Sequence, residues 1–256
     1  MRELSVFDIT HQGCVAVVTM NHGKANALDT EFCTALATWL EGSHTAEARA
    51  VVLTGQGKIF SAGVDLLRAT SSGPNYFRGF LPALSRLYEA AFFFPKPVVA
   101  AINGHAVAGG CVLACCADHR VMARGGGRIG VTELKVGLPF PAMAFEIMRF
   151  VTAPRRLSEV ILGAATYAPE DARDRGMVDE VVAPEDLMAR ALEAAERLAT
   201  LRPQAFELSK AHIRGPVAER YRRDGAAHDA AVSAVWLAPE TAESIRDYVA
   251  RTFKRA

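Results

Sequence analysis

Glu133 is the one carboxylate in Thr132-Glu133-Leu134-Lys135-Val136-Gly137-Leu138-Pro139, a stretch made largely of apolar residues. A carboxyl facing Leu134, Val136, Leu138 and Phe140 would be poorly solvated. Desolvation raises a carboxyl pKa toward working pH, which suits a general base. Two glycine-containing segments fit the same chemistry. Phe60-Ser61-Ala62-Gly63-Val64-Asp65-Leu66 follows a strand-like run, and its small residues let a backbone N–H approach a ligand closely. Asn103-Gly104-His105-Ala106-Val107-Ala108-Gly109-Gly110-Cys111 puts glycines at the start of an apolar helix. There, free N–H groups and the helix dipole favour negative charge. Two backbone donors and one base suit formation of an enolate. Each segment is weak alone, and Gly109-Gly110 in isolation reads better as tight packing.

Other chemistries lack their residues. Gly55-Gln56-Gly57-Lys58-Ile59-Phe60 resembles the start of a dinucleotide fingerprint, but Phe60 stands where the third glycine is needed. Gly23-Lys24 has neither the upstream glycine nor the Ser/Thr of a phosphate-binding loop. Ser61 is not in a nucleophile-elbow pattern. Cys111 and Cys115 share a helix face, but no nearby Cys or His completes a zinc site. The three thiols Cys111, Cys115 and Cys116 read as core packing, and no metal or separate cofactor is expected.

The elements that must position these residues alternate. Leu4–Thr10 and Cys14–Met20 predict a hairpin turning at Gly13. A helix capped by Asp29 carries Phe32, Leu36 and Leu40 on one face. Strands are expected at 50–54, 98–102, 120–123 and 178–182, and helices at 76–94, from Gly109, at 142–151 and at 154–162. Beyond Pro184 the pattern is helix only, in four segments at 185–200, 203–213, 217–237 and 239–253. The alternation predicts a layered α/β core over residues 1–195 and a helical region over 196–256.

Composition narrows the partners. Lys plus Arg number 29 and Asp plus Glu 28 in 256 residues, a net charge of +1, which argues against nucleic acid. Residues 98–117 carry no charge and imitate a membrane span. Pro97, Asn103, His105 and Gly109-Gly110 break that run into a strand, a turn and a helix, so no membrane association is expected. Five cysteines and an N-terminus without an apolar signal core predict a reducing, cytoplasmic setting.

Taken in order, these segments resemble the enoyl-CoA hydratase/isomerase (crotonase) family. The resemblance begins at Gly23-Lys24-Ala25-Asn26-Ala27-Leu28-Asp29. It continues through Phe60–Leu66, Asn103–Arg120 and Glu133–Pro139 to Gly176-Met177-Val178-Asp179-Glu180-Val181-Val182. It implies an α/β fold built as a spiral of ββα units, with a helical trimerisation region giving a homotrimer or dimer of trimers. It also implies an acyl-CoA thioester substrate, with coenzyme A part of that substrate. The thioester oxygen would sit between two backbone N–H groups, by resemblance those of Ala62 and Gly109. Gly63, Val64, Asp65, Leu66 and Gly110 would contact the substrate, Lys24 and Ala25 the adenine end, and Lys24 and Lys254 the phosphates. Phe140 would line the acyl pocket, alongside Phe80, Leu84, Leu87 and Met143, with core packing an equal reading of these residues.

One departure bears on the reaction. Hydratases of the family carry two glutamates; one falls on Glu133, and the other on the position held here by Val112. Valine neither donates nor accepts a hydrogen bond, so it cannot orient a water. A single carboxylate suffices to move a proton from C2 to C4 of a 3-enoyl-CoA, giving the 2-enoyl isomer. The Val-Ala-Gly-Gly-Cys wording and the short Lys24–Leu28 segment also resemble the Δ3,Δ2-enoyl-CoA isomerase branch. Hydration, other thioester chemistries and non-catalytic acyl-CoA binding remain alternatives. Asp65 reads as a loop-fixing residue, Asp118 as structural, and His105 and His119 as buried core histidines.

Overall fold

The computed structural model describes residues 6–42 and 47–253. Strands β1 (Phe7–Gln12) and β2 (Val15–Met20) form the expected hairpin, with Gly13 at φ +56° in its turn. Residues Leu4 and Ser5 of the expected first strand lie outside the described residues. From β2 the sheet runs parallel through β3 (Ala50–Gly55), β5 (Val98–Ile102), β7 (His119–Ala123) and β9 (Glu180–Val182). A second, small parallel sheet is made of β4 (Ile59–Ser61), β6 (His105–Val107) and β8 (Ile129–Gly130).

The chain therefore steps from the large sheet to the small one and then into helix, three times over. After β3 and β4 come α2 (Leu66–Ser72) and α3 (Tyr76–Phe92), and after β5 and β6 comes α4 (Gly109–Cys115). After β7 and β8 come a 3₁₀ turn at Glu133–Val136 and α5 (Ala142–Val151). Successive turns stack their strands side by side, so a sheet expected as part of a layered core is wound as a spiral of ββα units. The repetition brings the β4–α2, β6–α4 and β8–3₁₀ junctions to one place, and these carry the three chemically suggestive segments.

Every residue of β3 and β5 is buried, as parallel strands covered on both faces require. One face packs against α1 (Thr30–Glu41), α3, α4 and α5. The other packs Val15, Val17, Val52, Val99, Ala101 and Val121 against Leu187, Ala191, Ala194, Ala195 and Ala199 of α8 (Leu187–Ala199). Residue 195 lies inside this helix. Short α6 (Leu157–Leu162) and α7 (Pro169–Arg173) precede β9.

The two helices expected at 203–213 and 217–237 are one, α9 (Pro203–Trp236), which passes through Gly215-Pro216 without a break. Proline normally disrupts a helix interior. Here both sides of Pro216 are fixed by tertiary contacts. Val217 is in the core, and Arg214 donates to the Cys116 carbonyl at 3.2 Å and to Asp118 at 2.7 Å. Lys210, one turn earlier, reaches Asp118 at 2.6 Å and the Lys96 carbonyl at 3.1 Å. Asp118, read as structural, thus anchors α9 to the sheet and also accepts from Val98 N–H at 2.8 Å. Burial beside Arg214 holds Lys210 down to about 8 despite the opposing Asp118 charge. Asp118→Asn leaves two buried cations facing a neutral amide. Because Lys210 can shed its proton, the loss sits at the low end for a broken buried pair, about 3 kcal/mol in denaturant unfolding.

Helix α10 (Pro239–Phe253) folds back beside α2 and the 133–136 turn, with Ile245 buried and Ser244 against Gly137. Lys254 lies outside the described residues. Among the described residues no helix is long and apolar enough to cross a membrane, and no cluster of three potential metal ligands occurs. The five cysteines are unbridged, and Cys111, Cys115 and Cys116 are core residues.

Candidate active site

The 23–28 and 59–65 segments are laced together by backbone and short polar side chains. Asn26, at φ +46°, accepts from His22 N–H at 2.9 Å and donates to the Ile59 carbonyl at 3.0 Å. Ser61 donates to the Asn26 carbonyl at 2.7 Å, and its hydroxyl oxygen accepts from Gly63 N–H at 3.2 Å. Leu28 N–H donates to the Gly63 carbonyl at 2.7 Å, and Asp65 N–H to the Leu28 carbonyl at 3.0 Å. Asp65 also caps α2 by accepting from Arg68 N–H at 2.9 Å, the loop-fixing role expected of it. Ser61 is therefore a strut, which fits its lack of a nucleophile pattern.

This lacing decides which N–H groups are free. Ala62 N–H is committed to the Ala25 carbonyl at 2.9 Å, so Ala62 does not supply the expected free donor. The correction moves the donor two residues along. Leu28 and Val64 form a parallel bridge in which Leu28 bonds to the residues on either side of Val64. In such a pairing the bridged residue turns its own N–H the other way. Among the described residues no acceptor faces Val64 N–H. Sequence reading had Val64 as a contact residue only, because three adjacent N–H groups in a loop look alike until the bridge partner is known.

Gly109 N–H, at the start of α4, is the second without an acceptor among the described residues. The Ala108 carbonyl accepts from Cys111 and Val112 N–H at 2.9 and 3.2 Å, so the trans peptide points Gly109 N–H out of the helix end. Ala108 has φ +52°, a conformation unfavourable for a residue with a Cβ and often found at functional sites. The two donor segments touch glycine to glycine. A Cβ on Gly63, at φ +80°, would lie 2.6 Å from the Val107 carbonyl oxygen and 2.9 Å from Gly109 N. One on Gly110 would lie 2.4 Å from the Ser61 carbonyl oxygen.

Glu133 opens the 3₁₀ turn that Gly137 closes in the left-handed conformation. It is 6% exposed, and its Oε2 has no hydrogen-bond partner among the described residues. Burial pushes its carboxyl up to about 7 against the opposing pull of backbone N–H groups at 132 and 133. A buried, unpaired carboxyl oxygen costs stability, and a carboxyl with a raised pKa in such a setting is a candidate functional group. Val136, Leu138, Phe140 and Met143 nearby are buried, whereas Leu134 is 39% exposed and does not enclose the carboxyl. The Glu133 charge reaches both Tyr88 and Cys111, whose ionisation it opposes, so Glu133 and α4 share one region.

The remaining candidates are accounted for. Lys24 is exposed, Ala25 is partly buried through its bond to Ala62, and Leu66 packs against the core. Val112 is fully buried. Glu146 is tied to Arg149 at 3.1 Å and to Arg220 at 2.6 Å, on the α5–α9 side. His105, expected to be buried, is exposed on β6. His119 is 23% exposed, 3.7–3.8 Å from Asp179 and Glu180. Sequence reading missed Tyr88 and Trp236. The first donates to the Gly109 carbonyl at 3.0 Å, and the second packs edge-on against Phe77 and donates to the Pro139 carbonyl at 2.9 Å.

The sequence model for enoyl-CoA hydratase/isomerase matches residues 10–252. The chain belongs to the enoyl-CoA hydratase/isomerase family. A carnitinyl-CoA dehydratase of Salmonella heidelberg is 31% identical over 84% of this chain and 84% of its own length. Human mitochondrial Δ3,Δ2-enoyl-CoA isomerase superposes with a TM-score of 0.91 at 26% identity, covering 98% of this chain and 99% of its own. An enoyl-CoA hydratase from Mycobacterium ulcerans Agy99 superposes at 0.81 with 30% identity, covering 90% and 99%. The fold is thus the crotonase-like α/β spiral with its C-terminal helices, and the protein is an acyl-CoA enzyme of the hydratase/isomerase family.

Proposed function

We propose that this family member isomerises 3-enoyl-CoA to 2-enoyl-CoA. The observation that carries the reading is that Glu133 is, among the described residues, the one buried carboxyl with an unpaired oxygen, while by the family resemblance Val112 occupies the position of the second hydratase glutamate. Three other carboxylates are engaged elsewhere. Asp65 caps α2, Asp118 holds Lys210 and Arg214, and Glu146 holds Arg149 and Arg220.

Glu133 Oε2 takes the C2 proton, and the C–H electron pair delocalises on to the thioester oxygen. That oxyanion accepts from Val64 and Gly109 N–H, each contributing about 3–4 kcal/mol of barrier lowering when preorganised. Protonated Glu133 then returns its proton to C4. The C3=C4 pair takes that proton, the oxyanion collapses, and the double bond is left between C2 and C3. Lys24 is proposed to meet the coenzyme A phosphates, and Phe140 and Met143 to flank the acyl chain. Exposed Leu201, Leu208 and Ile213 support assembly through the C-terminal helices as a homotrimer or dimer of trimers. Unbridged cysteines support a reducing, cytoplasmic setting.

The test is to add 3-enoyl-CoA to purified protein and follow the absorbance of the conjugated thioester. A rise with turnover supports isomerisation. No rise, with tight acyl-CoA binding indifferent to Glu133→Ala, indicates a non-catalytic binder. The base must be ionised to act, and its folded pKa is about 7. The kcat/KM for isomerisation should therefore climb through about pH 7 and level off above it. A pH-independent profile between pH 6 and 8 would mean that Glu133 is not the base.

A further inference from the structure

Helix α3 turns an apolar face inward, with Phe77, Phe80, Leu81, Leu84, Leu87, Ala91 and Phe92 all buried. Tyr88 interrupts that face with a phenol that is itself 1% exposed. A buried tyrosine hydroxyl needs a partner. Here it is the Gly109 carbonyl, at 3.0 Å. The approach is possible only at glycine, since a Cβ on Gly109 would lie 2.8 Å from the Tyr88 oxygen. The segment it grips needs external support. Helix α4 spans only Gly109–Cys115, far shorter than a helix stable on its own, and it follows the unfavourable Ala108 backbone.

We propose that Tyr88 is a positioning residue that sets the oxyanion-binding N–H of Gly109. Its O–H fixes the Gly109–Gly110 peptide from below. The Ala108 carbonyl, bonded to Cys111 and Val112, fixes the preceding peptide from within the helix. Gly109 lies between two immobilised peptides, so its N–H holds one direction as the thioester oxygen gains charge. Preorganised donors of this kind lower a barrier because nothing needs to reorient during reaction. Burial and the neighbouring Glu133 both raise the Tyr88 pKa, which keeps the phenol a donor throughout the working range.

This inference rests on the acyl-CoA reading but not on the isomerase reading. The experiment compares the wild type with Tyr88→Phe and with Tyr221→Phe. Tyr221 donates a similar hydrogen bond to Glu89 at 2.9 Å, one that does not involve Gly109, and serves as the control. Two quantities are read: kcat and KM for 3-enoyl-CoA, and the infrared carbonyl shift of a ¹³C-labelled 2-enoyl-CoA on binding. Tyr88→Phe should lower kcat about tenfold, the effect of about one hydrogen bond, with KM within about twofold. It should also shrink the carbonyl shift, and Tyr221→Phe should change neither. An unaltered carbonyl shift and kcat in folded Tyr88→Phe would overturn the proposal, whatever its melting temperature. Replacement of Tyr88 by 3-fluorotyrosine, a stronger donor of nearly the same shape, covers poor folding of the phenylalanine variant. It should enlarge the shift, and no change in it would overturn the proposal equally. A wild type that shifts the carbonyl without isomerising would refute the isomerase reading and leave the Tyr88 comparison intact.

Discussion

If the proposed isomerisation holds, Glu133→Gln should lower its turnover by about 10²–10⁴-fold, the usual worth of a positioned general base, and at the same time stabilise the fold. Both effects come from one environment. The carboxyl lies among buried residues with an oxygen that no described group satisfies, and its pKa rises from 4.5 to about 7. A folded pKa above the unfolded one means that the native state prefers the protonated form. The associated stability is fully present below about pH 4.5 and is lost as pH rises through 7. At pH 8 the ionised carboxylate therefore costs on the order of 2–4 kcal/mol, which a neutral amide of the same shape avoids. The melting temperature of Glu133→Gln should exceed that of the wild type at pH 8, and the difference should shrink toward pH 5. Equal melting temperatures at pH 8 would contradict the burial argument, and full activity would remove Glu133 from the mechanism.

Gly63→Ala should reduce kcat by about 10²–10³-fold, the loss seen when an oxyanion donor is removed. The added methyl meets the Val107 carbonyl at 2.6 Å and Gly109 N at 2.9 Å, and the backbone stands at φ +80°. The nearest obstacles include backbone, so no side-chain rotation relieves them. The segments carrying Val64 and Gly109 must separate, which would move both N–H groups away from the proposed thioester oxygen. Steady-state kinetics with a parallel melting curve separates displacement from unfolding. A folded Gly63→Ala with near wild-type kcat would show that the contact between the two segments does not set the oxyanion geometry.

How far the sequence exposed all this depended on whether a signal was local. Asp29 as a cap, the hairpin at Gly13 and the buried strands at 50–54 and 98–102 were readable, because caps, turns and apolar runs are local features. Glu133 and the glycines at 63, 109 and 110 stood out by residue type. The choice between Ala62 and Val64 as donor was not local. It follows from the pairing with Ala25 and Leu28, some 35 residues upstream. The continuity of α9 through Pro216 depends on Asp118, nearly 100 residues away, which overrides a local helix breaker. Exposure of His105 follows from its place on the small sheet, and strand alternation over three residues gives no warning of it. Tyr88 looked like one more residue of an apolar helix face, since nothing in sequence links it to Gly109.

The most direct measurement is the fate of solvent oxygen. Purified protein is incubated with a 3-enoyl-CoA in H₂¹⁸O, and the products are resolved by mass spectrometry. The proposed reaction, with Glu133 as its one acid/base group and Val112 in place of a second carboxylate, predicts 2-enoyl-CoA of unchanged mass as the product. Unchanged 3-enoyl-CoA, together with an ¹⁸O-labelled 3-hydroxyacyl-CoA when 2-enoyl-CoA is supplied instead, would contradict isomerisation and make the protein a hydratase.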